Sequence, residues 1–280
     1  MSYVLEHMGQ NIWRGKFNTF PDDVAIHGIS ARLGGVSQTP YASLNMGLHV
    51  GDDPAAVREN RQRFLAMLGL KAARICTPEQ VHGDVIDRVG TAEMGRGALE
   101  YADAIKGCDA LITNEPGVPL MLCFADCTPI LFIDPVHHAV GIAHGGWKGT
   151  VSRIAAKTVQ RLADEFGTQP EDLLVGIGPS IGPECFEVGE EVADAFRDTF
   201  GAYEQVIISY GDNLPDGERP RPHVNLWEAN RVQLLEAGVP AANIDVAGVC
   251  TCCQNKWYFS YRAEQGRTGR LAAVIALQEY

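Results

Sequence analysis

The chain lacks any apolar run near the ~18 residues that a membrane-spanning helix needs. Its opening segment, MSYVLEHMGQNIWRGKF, lacks the apolar core of a secretory signal. A cytoplasmic protein with no membrane partner is therefore expected. Positive charge is scarce: 23 Lys and Arg stand against 35 Asp and Glu, a formal net charge of -12. That excludes the basic footprint of a general nucleic-acid binder, while a small anion held by a few local basic groups is still allowed. Several catalytic signatures are missing. There is no HExxH, no G-x-x-x-x-G-K-[ST], and no H-x-E paired with P-C-x-x-C as in zinc nucleobase deaminases. The eight histidines include no H-x-H pair, which speaks against a multicopper centre. Cys250 and Cys253 form one C-x-x-C with no second pair to complete a structural zinc site, so they read as core residues at a strand end. Internal repeats and low-complexity tracts are absent.

What is present suits one large domain over residues 1–280, with 46% hydrophobic residues to fill its core. The eight cysteines should be mostly reduced in a cytoplasmic chain. Val24 to Ser30 is a short apolar run, followed by a loop dense in Gly, Ser and Asn. Asp53 and Pro54 open a helix with an apolar face at Val57, Phe64, Leu65 and Leu68, closed by Gly69. Two strand pieces flank a bend at Pro78 to Gly83. Val151 to Phe166 has helical periodicity. Glu190 and Glu191 open a helix carrying Phe196 and Phe200, and Asn225 with Glu228 resembles a capping box. Tyr210 to His223 reads as an excursion loop, and His137 and His138 as a solvent-facing turn. DVAGVC and AAVIAL are late strands. Strands and helices mix without the alternation of a barrel, which predicts an α+β (mixed α/β) fold of mixed sheets flanked by helices.

The chemistry concentrates in Leu120 to Thr150, LMLCFADCTPILFIDPVHHAVGIAHGGWKGT. Cys127 interrupts one apolar run and His144 ends another, just before Gly145 and Gly146. With His82 from the earlier bend they make a three-ligand set suited to catalytic zinc, which keeps one position open. The same residues also suit a plainer reading, a buried thiol and two hydrogen-bonded loop histidines. Free N–H groups at the start of the Val151 helix, with Lys148, would attract an anion. Arg32, in ARLGG, is a second anion candidate.

SARLGGVS, LNMGLHVGDD, REN, PEQVHG, DALIT, ADCTPIL, AHGGWKGT, IGPSIGPECFEVG and FSYRAEQGRTGR follow one another from about Ser30 to the C-terminus. In that order they resemble the YfiH family, also called the laccase-domain or peptidoglycan-editing-factor family. The resemblance implies a YfiH-like fold and a zinc site at His82, Cys127 and His144. It implies adenosine deamination and phosphorolysis of adenosine, inosine or guanosine and methylthioadenosine, with a purine nucleoside and phosphate as small-molecule partners. Older naming, multicopper polyphenol oxidase, makes copper the alternative metal. Lys148 departs from the arginine often seen at its place. On this reading Arg32, Asn45, Lys148, Gly145 and Gly146 hold phosphate or substrate, and Asp126 or Glu187 moves protons or orients a ligand. Three rivals use the same residues: a cysteine hydrolase editing peptidoglycan precursors, with Cys127 as nucleophile and His144 as base; a copper oxidase of phenols; and a metal-binding protein without catalysis. The sequence leaves the oligomeric state open.

Overall fold

The longest apolar runs become strands buried on both faces, because helices cover each side of a stacked pair of sheets. A computed structural model describes residues 3–211 and 220–279. The strands are β1 (Tyr3–Gly9), β2 (Ile12–Phe17), β3 (Ala25–Ser30), β4 (Ile86–Arg88) and β5 (Ala110–Thr113). There follow β6 (Leu120–Phe124), β7 (Thr128–Asp134), β8 (Ala139–Gly145) and β9 (Leu174–Ile177). The last four are β10 (Ile208–Tyr210), β11 (Pro222–Val224), β12 (Ile244–Val246) and β13 (Leu271–Leu277). One sheet has the order β1-β2-β3-β13-β6 and the other β12-β9-β7-β8-β5-β4. The first is antiparallel throughout; in the second the edge pairs β4–β5 and β12–β9 are parallel. This is the mixed α+β architecture expected.

Alternation along β6 shows the layering. Leu120, Leu122 and Phe124 face the space between the sheets and meet Leu131, Ile133 and Ile142 of the other sheet. Met121 and Cys123 face the opposite way, onto Phe64 and Leu65 of α1 (Pro54–Met67). Ile112, Ile130 and Phe132 turn outward from the second sheet to meet Ile154, Val159 and Leu162. Each fully buried Leu or Phe contributes about 1.5–3 kcal/mol, so both sheets are held from two sides.

The helix starts follow the sequence with two corrections. Asp53 caps α1, accepting from the Ala55 N–H at 2.9 Å. The expected Val151–Phe166 helix is two pieces, α2 (Trp147–Val151) and α3 (Ile154–Phe166). Arg153, with φ 65°, redirects the chain between them. Val151 packs with Phe196 and Leu226 rather than on the α3 face. After α4 (Glu190–Phe200) and the short α5 (Glu204–Ile207), Asn225 caps α6 (Leu226–Glu236) through the Glu228 N–H. The reciprocal half of the capping box is replaced, since the Glu228 carboxylate pairs with Arg231. The excursion after Tyr210 starts and ends in the β10–β11 hairpin, while its residues 212–219 lie outside the described residues. His137 is half-buried rather than solvent-facing, its Nδ1 2.9 Å from the buried Asp134 carboxylate. Among the described residues no helix is long and apolar enough to cross a membrane.

Candidate metal centre

Three chain segments meet at one end of the sheets. Cys127 stands in the break between β6 and β7, where Asp126 takes the left-handed conformation at φ 83°. The β7–β8 register pairs Pro129 with His144 and Thr128 with Gly145, which brings His144 beside Cys127. His82 arrives from the bend, also left-handed at φ 60°. One donor atom from each of the three lies within 4.8 Å of the others. The His82 and His144 ring centroids are 4.8 Å apart. Gly146 closes over the group: a Cβ there would stand 3.2 Å from the His82 ring and 3.3 Å from the Cys127 sulfur. Any side chain at this position would crowd both donors.

The bend is folded back by two side chains that sequence reasoning left without a role. Gln80 bonds both ways to β6, donating to the Cys123 carbonyl at 2.9 Å and accepting its N–H at 2.8 Å. Asp109 is fully buried and accepts from the N–H groups of Val81, His82 and Gly83 at 3.1, 3.0 and 2.7 Å. The same carboxylate takes the His144 Nδ1 at 2.8 Å. One residue thus positions both histidines and leaves His144 Nε2 for a ligand.

The electrostatics follow from that bracing. Burial alone would raise the Cys127 thiol, but the His144 and His82 imidazoles outweigh it and bring its pKa down to about 6. Burial alone would depress His144, yet the Cys127 thiolate and the Asp109 carboxylate raise it to about 9. For Asp109, burial works against ionisation, and the His144 bond and backbone N–H groups prevail to lower its pKa. A thiolate between two imidazoles is a donor set for a borderline-soft ion such as zinc.

These residues form the floor of a cavity of about 400 Å³, within the range of small-ligand sites. Phe186, Ile181 and Tyr261 give it apolar walls, and Arg262, Arg270 and His49 give it polar ones. Arg270 sits just before β13, whose register pairs Leu271 with Phe124, opposite the break that holds Cys127. Its Nη1 is fixed by the Thr268 and Gly269 carbonyls, each at 3.0 Å. Among the described residues no carboxylate forms an ion pair with Arg262 or Arg270. Burial pushes the Arg270 pKa down.

The structure separates the other sequence candidates. Asp126 lines the cavity, with its carboxylate accepting from the Thr251 hydroxyl at 2.7 Å and the Arg262 N–H at 2.6 Å. Gly145 packs against the Thr128 carbonyl. Four other candidates stand away from the cavity lining. Arg32 lies outside the cavity lining, its guanidinium committed to the Ala42 and Asn255 carbonyls and Glu264. Lys148 is exposed, its ammonium 5.6 Å from the Trp147 ring, and the helix after the glycines is five residues long. Glu187 is exposed and paired with Arg221 at 3.0 Å. Asn45 is a buried brace: its Oδ1 accepts from the Gly47 and Arg270 N–H groups. Arg262, Arg270, Gln80 and Asp109 all lie in quoted motifs, so the signal was present, but only chain folding ranks them above Arg32 and Lys148.

A family model described as "Multi-copper polyphenol oxidoreductase laccase" matches residues 26–278. "Purine nucleoside phosphorylase YlmD" of Geobacillus stearothermophilus is 42% identical over 255 residues, 91% of each chain. The chain belongs to the YfiH family. The crystal structure of YlmD from Geobacillus stearothermophilus matches with TM-score 0.91 at 39% identity, covering 99% of this chain and 100% of that one. That of a Bacillus licheniformis hypothetical protein YfiH matches at 0.90 and 34%, covering 98% and 99%. Copper chemistry in the family description meets a cluster sized for one ion; the other metal-type group among the described residues contains no histidine.

Proposed function

We propose that this chain is a zinc-dependent purine nucleoside enzyme, cleaving adenosine and related nucleosides with phosphate and deaminating adenosine. The observation that carries this reading is the His82–Cys127–His144 donor set at the floor of a cavity containing two arginines without ion-pair partners among the described residues. The printed name of the YlmD relative supports the substrate class. The donor set fits zinc, since its thiolate and the one free nitrogen of the braced His144 are already turned toward a shared point. Bound there, zinc would supply Lewis acidity at the substrate.

The protein groups then divide the remaining work. Phe186 and Tyr261 offer faces on which a purine stacks. Arg270 and Arg262 hold the phosphate by charge-assisted hydrogen bonds. Asp109 keeps His144 in one tautomer, and Asp126 orients the Arg262 backbone at the rim. The eight unpaired thiols suit a reducing cytoplasm. The single domain expected from the sequence is retained as part of this proposal.

Incubation of metal-replete protein with adenosine, with and without phosphate, tests the reading. Phosphate-dependent adenine and phosphate-independent inosine are expected. Neither product rising above a Cys127→Ala control would defeat it.

One observation favours a second reading. A thiol lowered to about 6 beside an imidazole raised to about 9 makes a thiolate–imidazolium pair in the metal-free protein, a nucleophile whose proton the histidine already holds. That pair would serve a cysteine hydrolase acting on a peptidoglycan-precursor amide.

A further inference from the structure

The described residues contain a second group of metal-type side chains, outside the cavity: Glu184, Cys185, Cys250 and Cys253. We propose that these four side chains hold a second, structural zinc ion that ties two surface turns together behind the cavity wall.

The two turns are already adjacent. Ser180 N–H donates to the Val249 carbonyl at 3.2 Å, and Thr251 N–H donates to the Ser180 carbonyl at 3.0 Å. One turn carries Glu184 and Cys185, folded by the Cys185 and Phe186 N–H groups on the Gly182 carbonyl at 3.0 and 2.9 Å. The other carries the C-x-x-C, closed by the Gln254 N–H on the Cys250 carbonyl at 2.9 Å. The chain ladder therefore sets the donors without help from an ion.

The donors stand close enough to share one ion. The four donor atoms lie within 4.8 Å of one another. Cys185 Sγ is 3.4 Å from Cys253 Sγ, and Cys253 Sγ is 3.5 Å from Glu184 Oε1. Zinc with Zn–S of about 2.3 Å and Zn–O of about 2.0–2.2 Å requires tetrahedral edges of roughly 3.8 Å between sulfurs and roughly 3.5 Å between sulfur and oxygen. A disulfide needs about 2.05 Å, so the Cys185 and Cys253 sulfurs are not bonded.

Two features distinguish the group from ordinary buried thiols. Cys250 Sγ accepts N–H groups from Gly182 at 3.2 Å and from Cys253 at 3.4 Å, which fix the sulfur at the junction of the two turns. Cys253 and Glu184 are exposed, so they do not serve as core filler, and an ion reaches them from solvent. The sequence expectation of two core cysteines therefore holds for Cys250 alone. Four protein donors close the coordination sphere, which marks a structural rather than a catalytic site.

The ion's place explains what it would do. Arg262, on the cavity wall, donates to the Cys185 carbonyl at 2.8 Å and the Glu187 carbonyl at 2.9 Å. Ile181 and Phe186, from the same turn as the ligands, also line the cavity. Fixing that turn fixes one wall of the substrate site.

The test counts metal. Full-length protein is purified under reductant, given zinc, passed over a desalting column and assayed by elemental analysis. Wild type is expected to retain one zinc more than Cys253→Ser or the Cys185→Ser/Cys253→Ser double variant, while Cys252→Ser matches wild type. Cys253 is exposed, so the single variant should fold, and circular dichroism checks that it does. Cobalt(II) added to Cys127→Ala isolates the second group; thiolate-to-cobalt charge transfer at one equivalent is expected, and its loss on adding Cys253→Ser. These readouts do not depend on the first centre or on turnover. Equal zinc in wild type and Cys253→Ser, or a Cys185–Cys253 disulfide with no metal uptake after reduction, overturns the proposal.

Discussion

Two groups of metal-type side chains occupy different ground in this protein. His82, Cys127 and His144 meet where buried strands end, with Asp109 braced behind them. Glu184, Cys185, Cys250 and Cys253 stand on two surface turns held to each other by backbone hydrogen bonds. The first group has three donors and a cavity above it; the second has four donors and lies outside that cavity. On the two proposals, donor number and surroundings would separate a centre open to substrate from one closed around its ion. If both proposals hold, the contrast teaches that the same thiol chemistry is directed to reaction or to stability by what packs around it.

The sharpest way to break the comparison is to remove one sulfur from each side. Cys127→Ala should bring adenosine turnover to the no-enzyme level and lose one metal equivalent, with the second group still loaded. Activity surviving in Cys127→Ala would erase the distinction. Asp109→Asn comes next. Asparagine offers a single acceptor oxygen where the carboxylate now receives three backbone N–H groups and His144. Metal affinity at the first centre should fall by about 10–100-fold, as for other residues that orient ligands, measured by competition with a chelator. Unchanged affinity would show that the brace is dispensable.

Arg270→Ala should raise KM for phosphate about tenfold or more, since a charged hydrogen bond contributes about 1.5–3 kcal/mol. Lys148→Ala should stay within about twofold, because its ammonium lies outside the cavity lining. The reverse pattern would return the phosphate to the glycine loop. The smallest effect is a shift in labelling. In chelated protein, alkylation of Cys127 followed by mass spectrometry should rise through a pH of about 6, since the thiolate predominates above its depressed pKa, rather than near the ordinary 9.0. Zinc should suppress it at every pH. Fast labelling of the untreated, metal-replete protein would favour the cysteine-hydrolase reading.

The buried strands β3, β5 to β9 and β13 and the main helices were legible because their apolar patterns are clear and their stops are glycines or polar caps, as at Asp53 and Gly69, whereas the half-buried β1 and β2 carry no such run and were not. The α2–α3 break was not, because Arg153 is an unremarkable residue in a continuous helical pattern and only its φ reveals the turn. In the site, His82, Cys127 and His144 were legible as donor types and as family motifs. Asp109 was hidden because an acid at the start of a strand reads as surface, and its four donors come from residues 26 or more positions away. Arg32 and Arg270 look alike in sequence; packing commits the first to Glu264 and Phe259 and places the second beside the cavity floor. The second thiol group was hidden for the same reason, since Cys185 and Cys253 meet across 68 positions of chain.

A crystal of the protein as purified, measured on both sides of the zinc absorption edge, tests the central claim directly. The account predicts an anomalous peak bonded to His82, Cys127 and His144, and a second at Glu184, Cys185, Cys250 and Cys253. No peak at the first position, from protein that turns over adenosine, would contradict it.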